Sequence, residues 1–209
     1  MKNVIEVKIC GLTSRDDALA ALEYGADYLG FVLYEVSVRG IAPGKMADIL
    51  DRIDAPYRAV GVFVNFTRAD VDKIASDCNL HAVQIHGDEK ACDFVDMAVP
   101  VWRSVCMGGG GVRDTTSEWN AARYVVDASV KGMYGGTGVT ADWGMAAEFA
   151  AERPVMLAGG LTPDNVADGI KHVQPLGVDS ASGVESAPGK KDLKKVQEFI
   201  KRARQSAET

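Results

Sequence analysis

Short apolar runs alternate along the whole chain with segments whose apolar residues recur every three or four positions. The runs predict strands at 4–10, 28–33, 58–64, 82–86, 99–107, 124–129, 154–158 and 177–182. Helical stripes lie between them. Ala18, Leu19 and Leu22 form the first; Met46, Ile49, Leu50 and Ile53 the second; Val71, Ile74, Ala75 and Cys78 the third. Asp88 opens a fourth helix carrying Phe94 and Val95, and further helices are expected around 115–123 and over 142–152. Val166, Ile170 and Val173 stripe the next, and Leu193, Val196, Phe199 and Ile200 the last. Punctuation agrees with this pattern. Ser14 and Thr67 can cap helices with their hydroxyls, Gly25 can stop one, and Pro163 after Thr162 suits a first turn. Gly108–Gly111 and the stretch from Gly132 to Val139 cannot continue a strand and are expected as loops.

Strict strand–helix alternation implies a parallel sheet, and eight strand units are the number that closes into a (β/α)8 TIM barrel. An open doubly wound sheet would want a Gly-x-Gly-x-x-Gly turn after the first strand, where Cys10-Gly11-Leu12-Thr13 stands instead. The expectation is an α/β protein with one barrel domain over residues 1–209. At 209 residues, 47% hydrophobic and 25% charged, the chain can bury a sizeable core.

In such folds reactive groups gather at the carboxyl ends of the strands. Cys10 ends the first strand and Asp127 the sixth, while Arg39 follows the second. Strands seven and eight end in Ala158-Gly159-Gly160 and Ala181-Ser182-Gly183, the pair of loops that carries phosphate in barrels of this kind. Each residue also has a plainer role. A lone cysteine is often core, the glycines also suit tight turns, and a loop arginine is usually solvated. Asp127 fits helix capping, substrate binding and acid–base work equally well. By two-residue periodicity Glu6, Lys8 and Cys10 share a face, so the Lys8 ammonium is expected to lower the Cys10 pKa and make a thiolate available.

Formal net charge is −6, from 29 acidic and 23 basic residues, which argues against a nucleic-acid partner. The Lys/Arg residues of the last helix read as a solvated face. Cys10, Cys78, Cys92 and Cys106 form no CxxC pair, and His81, His86 and His172 have no metal-ligand spacing, so neither zinc nor a disulfide framework is expected. No apolar run approaches the ~20 residues of a membrane span, and the first residues lack a signal-peptide layout. These features predict a cytoplasmic protein without metal.

Several blocks carry a resemblance: Lys8-Ile9-Cys10-Gly11-Leu12-Thr13, Gly61-Val62-Phe63-Val64-Asn65, Val83-Gln84-Ile85-His86-Gly87, Gly135-Gly136-Thr137-Gly138 with Asp142-Trp143, the run from Leu157 to Val166, and Ser182-Gly183-Val184-Glu185 with Pro188-Gly189-Lys190-Lys191-Asp192. In this order, over nearly the full length, the chain resembles the phosphoribosylanthranilate isomerases of tryptophan biosynthesis. The resemblance implies an Amadori rearrangement of a small phosphorylated aminoaldose to an aminoketose, with no organic cofactor or metal, in a monomer or homodimer. It implies Asp127 as general acid, with a pKa raised by burial, and Cys10 as general base. Arg39 would hold the anthranilate carboxylate; Gly159, Gly160, Asp179, Ser182 and Gly183 would bind substrate, chiefly its phosphate. Three positions depart from the family's usual residues: Val38 replaces a proline, Ala181 a serine and Ala141 a phenylalanine. The related isomerase of histidine biosynthesis carries a carboxylate where Cys10 stands, so the cysteine argues against that activity. A binder of phosphoribosyl ligands without turnover is the alternative outside enzymes.

Overall fold

The computed structural model describes residues 4–107, 118–127 and 143–206. Eight parallel strands close in chain order, each hydrogen-bonded to the next and β8 back to β1. They are β1 (Glu6–Ile9), β2 (Tyr28–Val32), β3 (Ala59–Phe63), β4 (Ala82–Ile85), β5 (Val101–Cys106), β6 (Arg123–Asp127), β7 (Val155–Leu157) and β8 (Gly177–Ser180). The TIM barrel expected from the alternation is therefore present. Six helices are described: α1 (Arg15–Glu23), α2 (Pro43–Leu50), α3 (Arg68–Asp77), α4 (Trp143–Ala150), α5 (Val166–Val173) and α6 (Leu193–Ser206). Ser14 and Thr67 cap as expected, accepting from the N–H groups of Asp17 and Asp70.

Parallel strands are buried on both faces, so alternate residues feed two separate cores. Outward residues such as Val7, Ile9, Leu29, Phe31, Val83, Ile85 and Val178 pack beneath the helices. Inward residues Tyr28, Val60, Ala82, Trp102, Val125, Met156 and Ala158 fill the lower barrel, with Tyr28 edge-on to Trp102 at 4.9 Å between ring centroids. Toward the carboxyl ends of β1, β4, β5 and β8 the interior turns polar. Lys8, Gln84, Ser104 and Asp179 are all buried there. This layer is the floor of the site.

Three helix expectations are corrected. After Asp88 there is one 3-10 turn, Ala91–Phe94, and Val95 is exposed. The Arg68 guanidinium takes the carbonyls of Asp93, Val95 and Asp96, which a helix would need for itself. In the expected helix around 115–123, residues 119–122 are not helical and Arg123 already belongs to β6, opposite Trp102. The Tyr124 hydroxyl donates to the Trp119 carbonyl at 2.5 Å, folding that segment back on the strand. Helix α5 starts at Val166 rather than at Pro163, because Asn165 closes a turn by accepting from Thr162 N–H and donating to the Gly160 carbonyl. The remainder of the 115–123 expectation, the two glycine-rich loops, Asp142 and Ala141 lie outside the described residues.

One element does not follow from the alternation of apolar runs and helical stripes. Strands β9 (Glu185–Ala187) and β10 (Lys190–Lys191) form a small antiparallel hairpin between β8 and α6, with Glu185 opposite Lys191. Lys195 at the start of α6 donates to the Glu185 carbonyl at 2.9 Å and fastens it.

Candidate active site

A pocket opens over the polar floor at the carboxyl ends of the strands. Cys10 just after β1, Arg39 from the loop after β2, Gln84 of β4 with His86 just beyond it, Gly159 and Gly160 from the loop after β7, Asp179 of β8, and Ser182 and Gly183 after it all line it. The structure thus brings together every expected site residue except Asp127. The backbone of Asp127 ends β6 in register with Cys106, at the same end of the barrel; its side chain lies outside the described residues, as does the expected rise of its pKa.

Cys10 stands in the pocket because β1 stops one residue before the end of its apolar run and Gly11 turns the chain with φ +71°. Gly30 on the neighbouring strand makes room. A Cβ there would come 2.9 Å from both the Cys10 Cα and its Sγ, and 3.0 Å from the Lys8 side chain. Lys8 points the same way, as the periodicity predicted, but its Nζ is bound to Asp179 Oδ2 at 2.9 Å. The expected net lowering of the Cys10 pKa is corrected. Burial pushes the thiol above its ordinary value, and the pull of Lys8 is too small to reverse this because Asp179 opposes it. Lys8 itself is held above its ordinary value; burial works against its charge, but Asp179 and Cys10 outweigh that.

Arg39 is not solvated. Its Nε and Nη2 donate to the two carboxylate oxygens of Glu185 at 2.7 and 2.8 Å, a bidentate pair. Lys191 Nζ reaches the same Glu185 Oε1 at 3.1 Å and also donates to the Ala181 carbonyl. Burial alone would raise the Glu185 carboxyl, but Arg39 and Lys191 hold it below the usual carboxylate range. From sequence, Glu185 and Lys191 stand out only as members of larger motifs. Their signal was present: an acid and a lysine on either side of Pro188-Gly189, where a hairpin would pair them.

The two glycine loops meet. Gly159 and Gly160 both have positive φ, +76° and +71°. A Cβ on Gly183 would collide with the Leu161 carbonyl oxygen, which the Ser180 hydroxyl also engages at 2.8 Å. Ala181 therefore sits in a junction made by backbone, and its missing hydroxyl leaves that junction intact. His86, expected as structural, is half-buried and lines the pocket; desolvation there, with Arg103 and Lys8 nearby, lowers its pKa from 6.5 to about 4. It is a neutral imidazole at physiological pH. Gln84 Nε2 donates to Ser104 Oγ at 2.9 Å, while its Oε1 has no hydrogen-bond partner among the described residues. Among the described residues no group of three His, Cys, Asp or Glu side chains could hold a metal ion.

Residues 7–202 match the family described as N-(5'-phosphoribosyl)anthranilate (PRA) isomerase. The chain belongs to this family. The PRA isomerase of Geotalea uraniireducens is 46% identical over 206 residues, covering 95% of this chain and 98% of that protein. The one from Geobacter sulfurreducens is 43% identical over 208 residues, covering 96% and 99%. Among solved structures, the PRA isomerase of Thermotoga maritima superposes with TM-score 0.85 at 37% identity, covering 96% of this chain and 99% of that one. A PRA isomerase in complex with reduced 1-(o-carboxyphenylamino)-1-deoxyribulose 5-phosphate superposes with TM-score 0.82 at 34% identity, covering 96% and 99%. Of the departures from the usual PRA isomerase residues, Val38 exposes its side chain and packs its carbonyl against Gly189. The Glu185 clamp therefore holds the Arg39 side chain where a proline would have stiffened its backbone.

Proposed function

We propose that the protein converts N-(5'-phosphoribosyl)anthranilate to 1-(2-carboxyphenylamino)-1-deoxyribulose 5-phosphate. The observation that carries this reading is Cys10, buried at the end of β1 yet lining a pocket shared with Arg39 and the paired glycine loops, in a chain of this family. Asp127, as general acid, protonates the furanose oxygen; the ring C–O bond breaks and the nitrogen lone pair forms the C1' imine. The Cys10 thiolate then takes the C2' proton, and those electrons move to the nitrogen to give an enolamine. Tautomerisation of its C2' hydroxyl yields the ketone. The substrate nitrogen is the electron sink, so the chemistry needs no cofactor. Each well-placed acid or base supplies roughly 10²–10⁴-fold.

Arg39 binds the anthranilate carboxylate in this reading. The backbone N–H groups around Gly159, Gly160, Ser182 and Gly183 hold the phosphate, which the positive φ values of the first two allow to approach closely. Asp179 holds Lys8 beside Cys10 and presents its second oxygen, Oδ1, which has no partner among the described residues, to the sugar. The protein acts as one domain in the cytoplasm, as a monomer or homodimer, on this small phosphorylated substrate; no described helix is long and apolar enough to cross a membrane.

The test follows anthranilate-ring fluorescence of freshly generated substrate with wild type, Cys10→Ser and Asp127→Asn. A fast signal loss in wild type, reduced at least ~100-fold in both variants, is expected. Loss at the spontaneous rate in all three proteins would overturn the enzyme reading in favour of a ligand-binding one.

A further inference from the structure

Glu185 and Lys191, the buried ion pair behind Arg39, do not line the pocket, and the mechanism above leaves them unused. Arg39, Glu185 and Lys191 have side chains only 13%, 5% and 1% exposed. Burying charge is expensive even when it is paired, and here a third charge has been added to a pair that was already complete. A bidentate Arg39–Glu185 pair is electrically neutral and holds little attraction for an anion. Lys191 changes the balance: its ammonium sits on the same Glu185 oxygen that receives Arg39 Nε. The neighbouring Lys8–Asp179 pair is also neutral. Across both groups three cations face two carboxylates, and the surplus charge is positive.

The hairpin supplies the geometry. Glu185 and Lys191 are cross-strand partners in β9 and β10, so one short element delivers both. It is seated against the Arg39 loop: Gly189 has φ +77°, a Cβ there would come 2.7 Å from the Val38 carbonyl oxygen, and Thr13 Oγ1 donates to the Gly189 carbonyl at 2.8 Å. Glu185 takes the Nε–Nη2 edge of the guanidinium and so turns its Nη1–Nη2 end away from the hairpin.

We propose that Lys191 is a positioning residue that tunes the site for a carboxylate-bearing substrate: it neutralises Glu185, so that Glu185 orients Arg39 without cancelling its charge. This rests on the assignment of Arg39 to the anthranilate carboxylate. Selectivity is then set at a distance, because Lys191 does not line the pocket.

The test uses two ligands: reduced 1-(2-carboxyphenylamino)-1-deoxyribulose 5-phosphate and its phenylamino counterpart lacking the carboxylate. Their dissociation constants are measured by calorimetry for wild type, Arg39→Met, Lys191→Met and Lys191→Arg, with kcat and KM for turnover. Lys191→Met is expected to bind the carboxylate ligand about tenfold more weakly, within the usual range for coupled sites, and to bind the other ligand as wild type does. KM rises by the larger factor, kcat falls only slightly through the lost pull of Lys191 on the Cys10 thiol, and Lys191→Arg restores both. Equal weakening of the two ligands, or no weakening, would overturn the inference and leave Lys191 a structural residue. Arg39→Met separates the levels. A carboxylate-specific loss there but not in Lys191→Met defeats only the role of Lys191. No such loss in Arg39→Met defeats the assignment beneath it. Should Lys191→Met fail to fold, Lys191→Gln removes the same charge with a polar side chain in its place.

Discussion

Cys10 shows how a residue's chemistry is set by neighbours of opposite sign. Burial raises its pKa, Lys8 lowers it and Asp179 raises it again through its own charge. Two substitutions should therefore move the thiol in opposite directions. Lys8→Met removes the largest pull toward thiolate and moves the Cys10 pKa further up. Asp179→Asn releases Lys8 and moves it down. Thiolate absorbance or alkylation rate against pH checks both, and shifts of the same sign would show that Lys8 and Asp179 do not act through charge. Because the thiol lies above its ordinary value, wild-type kcat/KM should climb as pH rises on the alkaline side. His86 titrates against stability instead. Its folded pKa of about 4 lies below the ordinary 6.5, so as pH falls through this window the unfolded chain binds the proton first. The folded state should lose up to ~3 kcal/mol between these two pH values, and a His86→Gln variant should lack that slope in urea unfolding.

At the scale of elements, the site depends on how closely strands and loops approach. Gly30 is the clearest case, since a Cβ would press on both the backbone and the sulfur of Cys10. Gly30→Ala should cost about 1–3 kcal/mol of stability through overpacking and lower kcat by displacing the sulfur. Thermal unfolding and kcat measured together separate the two effects. A similar argument applies where loops seven and eight touch. Gly183→Ala would drive a methyl into the Leu161 carbonyl, prising apart the two glycine turns. Affinity for inorganic phosphate should fall while the affinity for anthranilate is retained; equal loss of both would place the phosphate elsewhere.

For the whole molecule, closure of the barrel is secured at both ends. Near the site, Lys8 and Asp179 join β1 to β8, strands that are 171 residues apart in sequence. At the opposite end Arg204 of α6 bonds the carbonyls of Ile5 and Gly25 and the Asp27 carboxylate, which in turn accepts from Val7 N–H. The last helix thus locks the first strand. Arg204→Ala should lower stability by about 1–2 kcal/mol while leaving KM near its wild-type value, since it lies away from the pocket. Differential scanning calorimetry beside steady-state kinetics decides this, and an altered KM would mean that closure is coupled to the site.

The chain's own pattern determined the barrel, the order of its strands and which strand ends would meet, because alternation of two periodicities is a local property that each segment expresses alone. Cys10, Arg39 and the glycine loops were legible for the same reason: position at a strand end is readable from the strand. The tertiary structure decided what those residues touch. Arg68 undid the helix expected after Asp88 by taking its carbonyls, Asp179 disarmed Lys8 from across the closure, and Glu185 claimed Arg39 from 146 positions away. Charge–charge pairing between distant segments leaves no periodic trace, and the sign of a pKa shift depends on the sum of such pairs with burial. Both exist only once the barrel has closed.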